Sequence, residues 1–131
     1  MKKGTSLALF LSLSWNIFSQ TIEEARVAID NENYIKARNI LSGMAANGDK
    51  KAAYYLGNAY LKMDEPDSAK MFYNMVGTET KSAYGKLANG RMALLAGDKA
   101  KAKSLFESAA IAAKYKDAEV LYQIGDAWYK P

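Results

Sequence analysis

Cysteine and histidine are both missing from the 131 residues, and only two prolines occur. Without cysteine there is neither a disulfide framework nor a thiolate metal site. Without histidine the commonest general base and the commonest metal ligand are gone together. Scarce proline lets long helices run, and the many Ala, Leu, Lys and Met residues favour helix over strand. No Gly-rich phosphate loop and no nucleophile elbow is present, so no cofactor or metal is implied. Charge of one sign is lacking as well. The 18 basic and 14 acidic side chains are interspersed, for a net charge of +4. A nucleic-acid footprint would need Lys and Arg gathered together, so nucleic-acid binding is not expected. What the chain does have is 50% hydrophobic and 24% charged residues. That balance belongs to a folded chain of one modest domain and not to a disordered one.

The longest apolar run is Leu7 to Phe18, preceded by Met1-Lys2-Lys3 and followed by Ser19. A basic start, a short apolar run and a small residue at its end describe a secretory signal peptide over residues 1–19. A membrane span needs about twenty apolar residues, more than this run supplies. Cleavage is expected after Ser19, with Ile17 standing where Ala is more usual; an uncleaved anchor is the alternative. No cysteine follows the run, which excludes a lipid-modified Cys anchor. The mature chain, residues 20–131, is expected to be exported, periplasmic or secreted, with no membrane span.

From Ile22 onward the apolar residues recur at helical spacing. Helices are predicted over 22–31, 34–46, 49–63, 66–76, 79–96, 99–114 and 118–129. Asp49, Asp98 and Asp117 are placed to cap helix starts, Asn47-Gly48 to end a helix, and Pro66 to open one. Gly43, inside the second helix, reads as a close packing point. Met44, Met63, Met71, Met75 and Met92 read as gap-fillers of the core. Asp64, Glu65 and Asp67 lack the alternate spacing and central Gly of a calcium loop and read as a solvated turn.

The helices repeat. Small residues of the second helix of each pair fall at Ala37, Ala69 and Ala102, spaced 32 and 33 apart. Those of the first helices fall at Gly57, Gly90 and Gly125, with Ala25 in the same place in the first pair. Leu56-Gly57-x-x-Tyr60, followed by Ala69-x-x-x-Tyr73, resembles the tetratricopeptide repeat family, whose period is about 34 residues. Gly90, Ala102 and Phe106 carry the pattern into the third pair, where Asn89 and Ala93 replace its Leu and Tyr. Ile124-Gly125-Asp126-Ala127-Trp128 restores it with Trp in the Tyr place. The pattern's leading Trp is Ala53 here, and its closing Pro is Lys81. Ala45-Ala46-Asn47-Gly48 and Leu56-Gly57 also resemble the Sel1-like subclass, though the regular period favours the plain repeat.

The resemblance implies an all-α solenoid of antiparallel helix pairs with about 3.5 repeats, over residues 21–47, 49–78, 80–115 and a half repeat at 117–130. The half repeat suggests a piece of a longer repeat protein. Val120, Leu121, Ile124 and Trp128 are expected to pack back on the third pair, leaving Tyr122 and Tyr129 outward.

The same resemblance implies a concave groove lined by first helices. Its positions fall on Tyr54, Asn58, Leu61 and Lys62; on Tyr84, Leu87, Arg91 and Leu94; and on Tyr122, Asp126 and Tyr129. Tyr54, Tyr84 and Tyr122 have a second reading, as packing between repeats. The family's carboxylate clamp is broken, because Tyr54 and Ala88 stand at its Lys and Arg places beside Asn58. The function implied is that of an exported, non-catalytic interaction or scaffold module for other exported or envelope proteins. The alternatives are a cell-wall carbohydrate-binding protein or carboxylate hydrolase, which needs only Asp and Glu, and a structural spacer.

Overall fold

A computed structural model describes residues 22–129, as seven helices with no strand among them. The candidate signal peptide lies outside the described residues. The helices are α1 (22–30), α2 (Tyr34–Ala46), α3 (Lys50–Lys62), α4 (Pro66–Gly77), α5 (Ala83–Leu95), α6 (Lys99–Ala112) and α7 (Ala118–Tyr129). From α2 to α6 each helix packs along the next. In addition α3 touches α5 and α5 touches α7, whereas α7 meets α6 over only a short stretch.

The turns follow from local chemistry. Asn33, Asp49, Ser82 and Asp98 each accept a hydrogen bond from the backbone N–H three residues on, satisfying a donor that the helix itself cannot. Five helices end with the N–H after a left-handed residue bonded back five positions, as in Asp49 N to Met44 O at 3.1 Å and Asp98 N to Ala93 O at 2.9 Å. The left-handed residue is Gly48 or Gly97 at two of these ends and Glu32, Asp64 or Lys114 at the others. The α6–α7 turn differs in holding two such residues in succession, Lys114 and Tyr115, at φ 55 and 54.

Two helix limits depart from the sequence reading by more than one residue. The fifth helix begins at Ala83, not at residue 79, because the chain folds back on itself there. The Glu79 carbonyl oxygen lies where a Cβ on Gly85 would stand, 1.9 Å away. The sixth ends at Ala112 instead of Lys114, where the left-handed pair begins.

Small residues set the distance between paired helices. A Cβ on Gly57 would lie 2.6 Å from Tyr73 Cε1, and one on Gly90 would lie 2.4 Å from Phe106 Cε1. In both pairs a ring from the second helix thus rests on bare backbone of the first. Ala25, Ala37, Ala69 and Ala102 are fully buried, as are Leu56 and Tyr73, while Tyr60 is half-buried and stacks on Phe72. Each large side chain so buried contributes about 1.5–3 kcal/mol. Asn89, which breaks the repeat pattern, has a use of its own: its amide donates to the Gly77 carbonyl at the end of α4, at 3.1 Å.

Several packing expectations are corrected. A Cβ on Gly125 would meet no atom of the described residues within 4 Å, so among them this glycine is not a helix–helix contact, although Trp128 three residues on packs edge-on against Phe106. Gly43 is exposed with equally open space around it. Among the described residues Met44 is buried, Met63 and Met92 are half-buried, and Met71 and Met75 are exposed, because these last two lie on the outer side of α4. Leu121 is likewise exposed, whereas Val120 is buried.

Gly57→Ala and Gly90→Ala are expected to lower stability by about 1–3 kcal/mol, overpacking outweighing alanine's better helix propensity. Gly125→Ala and Gly43→Ala should instead raise it, by up to about 1 kcal/mol. Gly97→Ala, uncrowded but left-handed at φ 79, should cost about 1–2 kcal/mol. Urea unfolding midpoints of the five variants would separate these outcomes.

Candidate functional site

The side of the molecule shared by α1, α3 and α5 faces α7, and a polar network joins them. Spacing puts Tyr54 and Asn58 one turn apart on α3, and Glu119, Gln123 and Asp126 along one stripe of α7. Arg91 of α5, only 2% exposed, stands between them. Its Nε donates to the Tyr54 hydroxyl at 3.1 Å, and its terminal nitrogen donates to Asp126 Oδ2 at 2.9 Å. The Gln123 side-chain carbonyl accepts from Tyr54 Oη at 3.2 Å, Asn58 Nδ2 at 3.0 Å and Arg91 at 3.4 Å. Tyr73 donates to Asn58 Oδ1 at 2.6 Å. Further along, Glu119 accepts from the Tyr55 hydroxyl and from Gln123 Nε2, and lies 3.6 Å from Arg26 of α1.

The residues expected in a groove therefore divide. Tyr54, Asn58, Leu87 and Arg91 are buried, the three polar ones bonded within the chain. Leu61, Lys62, Tyr84 and Leu94 are half-buried, and Asp126 is largely covered as the partner of Arg91. Tyr122 and Tyr129 are exposed, Tyr129 at 89%. Tyr54 and Tyr84 also pack ring to ring at 5.5 Å, and Arg91 lies over the Tyr54 ring. Tyr55, Glu119 and Gln123 join the network although the sequence reading did not single them out. The signal for Glu119 and Gln123 was the polar stripe they form with Asp126 at i, i+4 and i+7, on a helix whose same face carries Val120 and Ala127.

Burial sets the electrostatics. Burial opposes the charge on Arg91, but Tyr54, Tyr73 and Asp126 outweigh it and hold the guanidinium firmly protonated. Burial pushes the Tyr55 and Tyr73 phenols far up, and that of Tyr84 up to about 12. The Tyr84 hydroxyl is buried with no hydrogen-bond partner among the described residues, while Lys51 Nζ sits 5.6 Å from its ring centre.

Beside the network a cleft of about 210 Å³ opens between α1, α3 and α7, with Arg26, Asp30, Tyr34, Lys62 and Tyr122 at its walls. Two of its carboxylates face arginines, Asp126 on Arg91 at 2.9 Å and Asp30 near Arg26 at 3.8 Å. Among the described residues no group of acidic side chains is placed to hold a metal, and no helix is long and apolar enough to cross a membrane. Set against known proteins, the chain matches no family model and no curated protein.

Removing the unpartnered hydroxyl in Tyr84→Phe should be neutral or stabilising, whereas Tyr73→Phe, which strands Asn58 Oδ1, should cost about 1–3 kcal/mol. Thermal and urea unfolding of the two variants checks this. In alkali, stability should fall from about pH 10 upward, where tyrosines of the unfolded chain ionise. The folded chain keeps Tyr84 protonated to about pH 12 and Tyr55 and Tyr73 beyond that, so the unfolded state binds fewer protons and the slope is negative. Phenolate absorbance followed alongside circular dichroism would register the buried tyrosines titrating only as the helices are lost.

Proposed function

We propose that the chain is a tetratricopeptide-like module, a short solenoid of helix pairs that binds other proteins and carries out no chemistry of its own. The observation that supports this most directly is the repeated joint, Tyr73 on Gly57 and Phe106 on Gly90, the ring 16 positions after the small residue in both cases. A joint that recurs at a fixed offset is what stacked helical repeats require, since each pair buries its face only against the next. Such stacks present a face and no enclosed reaction centre. The carboxylate-hydrolase alternative gains little from the cleft, because Asp126 and Asp30 both face guanidinium groups there.

In this reading the basic start and apolar run at residues 1–19 direct export, and the partners are exported or envelope proteins. Binding uses the cleft that the inner side of α1 and α3 forms with α7. Tyr122, Lys62 and Arg26 at the cleft walls offer aromatic area and donors, the chemistry that dominates binding hot spots.

The paired variant Lys62→Ala with Tyr122→Ala touches the cleft walls and leaves the Arg91 network in place. Recovery of partners from an envelope extract by the full chain should drop at least about tenfold, the weight of one or two hot-spot side chains. Undiminished recovery, with helical circular dichroism intact, would remove the inner face from consideration.

A further inference from the structure

In this structure the inner face is already occupied, and its occupant is α7. Glu119, Gln123 and Asp126 form an acceptor stripe, and donors from three other helices meet it: Arg26 from α1, Tyr54, Tyr55 and Asn58 from α3, and Arg91 from α5. The match is one of charge and hydrogen bonding, acidic and amide groups against cationic and donor groups. Apolar contacts add to the hold on α7 at Val120 and Ala127, both fully buried, and at Trp128 against Phe106, but they do not run its whole length. Among the described residues no atom stands within 4 Å of a Cβ on Gly125, where Gly57 and Gly90 each hold a ring. A crevice of about 340 Å³ separates α6 from α7, walled by Phe106, Ala110, Tyr115, Leu121, Ile124 and Trp128. The turn leading into α7 carries two consecutive left-handed residues that are not glycine, Lys114 and Tyr115.

We propose that α7 is a displaceable occupant of this face, and that the partner is a helix of another polypeptide bearing the same acidic and amide stripe at i, i+4 and i+7. That helix takes the place of α7 against Arg26, Tyr55, Asn58 and Arg91. The proposal rests on the interaction-module reading and deepens it by giving the partner a chemistry. It follows that the closed chain binds more weakly than its inner face would alone, by the fraction of molecules in which α7 is away.

The probe is a fluorescent peptide of residues 117–129, added to the full chain. In a full-length variant with Glu119→Lys and Asp126→Lys, two new cations face Arg26 and Arg91 and release α7. This variant should bind the peptide at least about tenfold more tightly than the wild type does, since the competing state is removed. A peptide with Glu119, Gln123 and Asp126 replaced by Ala should not bind. Hydrogen exchange on the unaltered wild type supplies a second measurement, in which α7 amides exchange at least about tenfold faster than those of α3 and α5, through local opening. Exchange of α7 only through global unfolding would overturn the proposal, as would a helical charge-reversed variant that ignores the peptide. Wild-type dimers held by exchanged α7 helices would assign the face to a second copy and overturn the assignment to another polypeptide. Slow exchange of α7 leaves the module reading standing, with a partner seated in the cleft beside a fixed α7, where Lys62 and Tyr122 test it.

Discussion

A guanidinium group buried among helices has to be surrounded by acceptors, and Arg91 imposes that requirement on everything near it. At 2% exposure it has lost its water, and α5 alone offers it none of the side-chain partners it holds. The acceptors come from Tyr54 on α3 and from Gln123 and Asp126 on α7. Removing one member of a buried ion pair generally costs about 3–5 kcal/mol, because the other charge is then stranded. Arg91 therefore governs where α7 can lie. It draws the last helix toward α3 and α5 and away from α6, which explains the short α6–α7 contact and the crevice between them.

Two kinds of joint consequently hold the chain together. Within the pairs α3–α4 and α5–α6, an aromatic ring sits on a glycine, and the contact is dry and tolerant of no added methyl group. Between α7 and the rest, buried Val120 and Ala127 are joined by a network of hydrogen bonds and ion pairs that the other joints lack. Apolar joints are non-directional and scale with area, whereas polar ones demand particular partners at particular places. The first kind makes the stack stable and the second makes the position of α7 specific.

Much of this was legible in the chain itself. The helix limits at Tyr34–Ala46 and the start of the last helix at Ala118 follow directly from the capping residues and the apolar period, and the small residues of the second and third pairs lie at their expected contacts. What escaped was what depends on the third dimension. Gly125 has the right neighbours in sequence, yet among the described residues no ring rests on it. Asn58 and Arg91 look like surface recognition groups in a linear reading, because polar residues are usually exposed. Only the placement of Gln123 and Asp126 opposite them turns them inward. Ser82 and Gly85 hid the late start of α5, since a tight backbone approach leaves little trace in hydropathy.

The polar character of the α7 seat also bears on how such a face discriminates. A helix presenting only apolar residues to Arg91 would bury the guanidinium without an acceptor for it, and desolvation without compensation disfavours that complex. A helix with acids in the wrong register would satisfy Arg26 or Arg91 but not both, because their acceptors on α7, Glu119 and Asp126, lie two turns apart. Gln123, accepting from three donors between them, reads the middle of that register with a neutral group. Selectivity for one stripe over others thus comes chiefly from the cost of leaving buried groups unpaired, and much less from the strength of the bonds that do form.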